Sequence, residues 1–156
     1  MRSNTSTSVG LLLAGLCLSA APASAKDLSR LVQLLTPVYL AQNLTSVCAA
    51  RDPAFLARTG GPFGTMHAYA QHVKEEVIAS LPPSKADLVM RTAADAAKAA
   101  ALQQVRALKS PSPEIEAERT DQWCRISAEG FVREIVRSHD VEHDGFVQGV
   151  EHAKKQ

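Results

Sequence analysis

The stretch Glu114–His139, EIEAERTDQWCRISAEGFVREIVRSH, decides how the rest of the chain is read. Cys124, Ala128, Phe131 and Ile135 follow one another at spacings of 4, 3 and 4, which places them on one face of an α-helix. The same stretch holds the sole tryptophan, Trp123, beside Cys124. A helix with one apolar face needs a partner that covers it, so the segments before it should supply further helices.

They do. Leu28, Leu31, Val32 and Leu35 read as a short helix over Lys26–Leu35, capped by Asp27. Thr36-Pro37 then looks like a fresh start, with Thr at the cap and Pro at the first helical position, so a kink or restart is expected. Beyond it, Ala41, Leu44 and Cys48 form a stripe with Leu40 and Val47 beside it. Asp52-Pro53 repeats the start signal for a short helix to Thr59, and Gly60-Gly-Pro-Phe-Gly64 reads as its C-cap and a turn. That loop has no Lys-Ser/Thr pair and no strand before it, so it does not read as a phosphate cradle.

Met66, Tyr69, Ala70, Val73, Val77 and Leu81 mark the next helix, which Pro82-Pro83 stops. Ser84 with Asp87 resembles a capping box for a long helix over Lys85–Leu108. Its middle, Ala93–Ala101, is almost all alanine, which favours helix and lets a neighbour approach closely. Ser112 and Pro113 then open the stretch quoted first. No strand pattern of useful length appears. The expected fold is all-α: a four-helix-bundle-like single domain with one or two short extra helices.

The first 25 residues read as an export leader. Arg2 is their only charge, an apolar run spans Val9–Leu18, and Ala23-Ser-Ala25 fits a cleavage site before Lys26. Cys17 follows Leu16 rather than the small residue that lipidation needs. The expected mature domain is 26–156, periplasmic or secreted, with 139–156 either frayed or a separate short helix. The chain has 17 basic and 16 acidic residues, and Arg2 lies in the leader, so the mature part balances at 16 of each. A neutral chain without a basic block argues against nucleic acid as a partner. No later apolar run reaches about 18 residues, so no membrane insertion is expected after leader removal.

Cys48 and Cys124 remain in an oxidising compartment, both on inward faces, and are expected to form a disulfide. No C-x-x-C spacing supports a redox or metal pair instead. The densest group of chemically able side chains is His139-Asp140-Val141-Glu142-His143. If the helix continues, His139 and His143 sit at i and i+4, where two imidazoles can hold one divalent transition metal ion. Asp140 and Glu142 can supplement them, and His72 can join from another helix. The run formally matches the inverted zinc-protease motif H-x-x-E-H, but only 13 residues follow to supply the further ligand. Solvated histidines that complement a helix C-terminus are the simpler reading. No haem-attachment, di-iron or calcium-loop spacing occurs, and no catalytic set with its nucleophile can be assembled. The expected function is therefore a non-enzymatic, protein-binding or accessory factor of the cell envelope that needs no cofactor. A metal-binding envelope protein is the alternative, and a small hydrolase the least favoured.

Overall fold

A computed structural model describes residues 23–61 and 64–138. In chain order it has α1 (Ala23–Ala49), α2 (Ala54–Thr59), α3 (Met66–Ser80), α4 (Pro83–Leu108) and α5 (Pro113–Trp123). A π turn over Cys124–Ala128 follows α5, and residues 129–138 are helical again. No strand occurs among the described residues, so the fold is an all-α helical bundle with one disulfide.

The principal contact of the bundle is α1 against α4. On α1 the buried positions are Leu31, Leu35, Val38, Ala41, Leu44, Thr45 and Cys48. On α4 they are Ala86, Val89, Ala93, Ala97 and Ala101, so one side of the interface is built almost wholly from methyl groups. Small side chains leave little bulk between the two backbones, and the larger leucines of α1 fill the space that remains. Met66, Tyr69, Ala70, Val73 and Val77 of α3 close the core from the side, as the spacing predicts.

Four local expectations are corrected. First, α1 runs unbroken through Pro37. Proline at 37 cannot donate to the Gln33 carbonyl, but one lost bond does not end the helix when residues on both sides must reach the same core. The Thr36 hydroxyl, expected as a cap, instead donates to the Val32 carbonyl at 2.7 Å. Second, α1 begins at Ala23, ahead of both Asp27 and the expected Ala25–Lys26 cleavage point. Third, Ser84 does not cap α4. Pro83 occupies the first turn, and the Pro82 carbonyl accepts from the Lys85 and Ala86 N–H groups at 2.9 and 3.0 Å. Fourth, the inward stripe after Cys124 is Ala128, Val132 and Val136, while Phe131 and Ile135 are only partly buried.

The fourth correction has a geometric cause. In an α-helix four residues turn about 400°, so three successive steps of four would carry the stripe about 120° off the core. The Glu129 N–H reaches back five residues to the Cys124 carbonyl, and the wider turn advances each residue through a smaller angle. The rotation lost there offsets the later drift. Cys124, Ala128, Val132 and Val136 thus stay on one side despite their 4-4-4 spacing.

Other start signals act as expected. The Thr65 and Ser112 hydroxyls accept from the Ala68 and Ile115 N–H groups. Asp52 Oδ1 accepts from the Ala54 N–H at 3.0 Å and so caps α2. At Gly60 an added Cβ would meet the Gly64 carbonyl oxygen at 1.9 Å, so the loop closes on itself only with glycine there.

Candidate functional site: a guanidinium-lined cleft over the disulfide

Cys48 ends α1 and Cys124 opens the π turn. Their sulfurs are bonded, with Cα atoms 5.6 Å apart, and both residues are buried. Because the bridge pins these two positions, the charged residues three places away on either chain are carried to the same spot. Arg51 lies three after Cys48, Asp121 three before Cys124, and the Arg51 Nε donates to Asp121 Oδ1. Arg51 Nη2 also donates to the Ala117 carbonyl at 3.3 Å.

The short helix α2 adds a second set. Its Arg58 donates from Nη2 to Asp52 Oδ2 at 2.8 Å and from Nε to Glu129 Oε2 at 3.0 Å. Arg133 Nε donates in return to the Arg58 carbonyl at 3.0 Å. The Arg58 guanidinium carbon stands 5.9 Å from the centre of the Phe55 ring. The ring itself is 1% exposed and props α2 against the core. Between these groups lies an open cleft of about 210 Å³, with Cys48, Cys124 and Phe55 among its walls and Arg51, Arg58, Arg125, Asp52 and Asp121 as its charged lining.

The electrostatics follow from the pairing. Hydrogen bonding to Arg58 holds the Asp52 carboxyl below the usual range, aided by the Ala54 N–H and opposed by partial desolvation. Asp121 is lowered mainly by its bond from Arg51. Arg51 and Arg58 are raised by the same bonds and stay charged. Depressed carboxylates contribute stability that is present above the unfolded-state pKa and lost as pH falls through the folded value. Stability should hold from neutrality to about pH 4 and then fall as Asp52 and Asp121 take up protons. Urea midpoints measured against pH check this. An Arg51→Met/Arg58→Met double variant should show a flatter acid limb than the parent, and equal slopes would contradict the assignment.

A second feature lies along the outer face of the last helix. Ile115, Arg119, Gln122 and Ile126 are exposed at spacings of 4, 3 and 4, which is one helical stripe. Ile115 is 46% and Ile126 66% exposed. Beside them runs a shallow groove of about 280 Å³ that Leu108 and Trp123 share with Arg119, Gln122 and Ile126. Trp123 packs its inner part on the core and leaves an edge in this groove.

His72 lies on α3, where Nε2 is 3.4 Å from Glu76 Oε1 one turn on. His139, Asp140, Glu142 and His143 lie outside the described residues. Among the described residues no three His, Cys, Asp or Glu side chains converge to hold a metal ion. No described helix is long and apolar enough to cross a membrane. Sequence reasoning identified Cys48 and Cys124 but not Arg51, Asp52, Arg58, Asp121 and Arg125. Their offsets from the two cysteines and from the Asp52-Pro53 start signal were the available clue. Comparison with family models, curated proteins and solved structures gave no match.

Proposed function

We propose that this chain is an exported, non-enzymatic accessory protein of the cell envelope, periplasmic or secreted, which works by binding another protein. The observation that carries the reading is the exposed Ile115–Arg119–Gln122–Ile126 stripe with its Leu108–Trp123 groove. An isoleucine two-thirds exposed beside a half-open tryptophan is the composition of a contact patch rather than of a solvated helix face. Arg119 sits within the stripe and pairs with no carboxylate among the described residues. The partner it suits is an amphipathic helix that sets an acidic side chain between apolar ones. The leader ending at Ala25 supports the location, and the balanced charge supports a protein rather than a polyanion as partner.

The test is affinity capture from envelope extract with the oxidised chain, alongside Ile126→Glu and Arg119→Glu variants whose melting matches the parent. The parent should retain a stoichiometric partner whose contacting segment is an acidic amphipathic helix. Each variant should weaken that complex about tenfold or more. Equal retention by all three proteins, or no stoichiometric partner, would reject the reading.

A further inference from the structure

The cleft over the disulfide has a charge pattern that its own residues do not complete. Three guanidinium groups face it, from Arg51, Arg58 and Arg125, against two carboxylates, Asp52 and Asp121. Both carboxylates are engaged: Asp52 holds the Ala54 N–H and Arg58, and Asp121 holds Arg51. Glu129 stands behind Arg58 and joins it to Arg133. Each guanidinium carries five N–H donors, and Arg51 and Arg58 use only Nε and Nη2. Arg125, one residue into the π turn, is exposed and pairs with no carboxylate among the described residues.

Size and lining narrow what fits. About 210 Å³ is room for roughly seven waters at liquid density, enough for one small oxyanion and a short apolar body. The walls formed by the disulfide and the Phe55 ring offer that body an apolar surface, while the guanidinium planes match the paired oxygens of a carboxylate or phosphate. We propose that this cleft is a binding site for a small oxyanion, which completes the arginine–carboxylate cluster by accepting hydrogen bonds from Arg125 and the unused donors of Arg51 and Arg58. The site is separate from the stripe on the outer face of the last helix and does not depend on it.

Amide NMR titration of the oxidised chain at constant ionic strength tests the site, with acetate, succinate and inorganic phosphate as probes and chloride as control. Saturable shifts confined to residues 51–58 and 121–128, at millimolar or lower concentration, are expected. Arg125→Gln should weaken binding about tenfold, and Arg125→Lys, which keeps the charge but not the planar fork, by less. Arg119→Gln, outside the cleft, should leave it unchanged. Tighter binding of the carboxylates or of phosphate supports the site and names its class. Shifts that chloride reproduces, that do not saturate, or that survive Arg125→Gln undiminished would overturn it.

Discussion

Replacing Cys48 and Cys124 together by serine should lower the stability of the fold by about 4.5 kcal/mol, with a fall in melting temperature of about 15 °C. The figure comes from the chain entropy released when a crosslink spanning 76 residues is opened. Structure retained in the unfolded chain would reduce it. The loss should also be uneven. Helix α5 has no buried residue of its own before Cys124. It is held to the body by the bridge, by Arg51 with Asp121 and Ala117, and by Trp123 just before the π turn. Amides of residues 113–123 should therefore lose hydrogen-exchange protection before those of α1 and α4. Urea unfolding of the serine variant against the oxidised parent gives the magnitude, and exchange gives the order. A difference under about 1 kcal/mol would mean that packing alone fixes the last helix.

Phe55→Ala should cost about 3–5 kcal/mol, a large value for a residue on a helix of six residues. So short a helix has little stability of its own, and its position depends on what it buries. Phe55 and Thr59 are its buried residues, and the Thr59 hydroxyl is already committed to the Phe55 carbonyl at 2.8 Å. Removing the ring leaves α2 with the Asp52 cap and the exposed pairs of Arg58, which are screened by water. The cleft would lose one wall at the same time. Thermal unfolding followed by circular dichroism checks the cost. A shift within that of an exposed-site control such as Ala57→Gly would show that α2 is ordered by its pairs and not by the core.

Which parts of this fold were legible from residue order follows from the range of each interaction. The stripes of α1, α3 and α4 depend on a 3.6-residue period, and every buried position on α3 was foreseen from spacing alone. Pro37 misled because the local signal for a restart competes with a tertiary demand. Leu31, Leu35, Val38 and Ala41 bury a continuous face only if the helix passes through. The register after Cys124 failed for a similar reason, since a π turn has no signature in residue type. At the cleft, the cysteines were visible because only two survive beyond the leader. The arginines were not, because an exposed Arg-Asp-Pro segment reads as a turn until the bridge brings Asp121 and Arg125 beside it.

The π turn has one more consequence, for chains of slightly different length. It behaves as a helix carrying one surplus residue. Deleting any one of residues 125–127 would bring Cys124, Ala128, Val132 and Val136 to separations of 3, 4 and 4, which an unmodified α-helix keeps on one side. The bundle would close as before, while the exposed side chains upstream and downstream of the deletion would rotate relative to one another. Shortening by one residue here would thus redraw the outer surface of the last helix and leave the interior as it is.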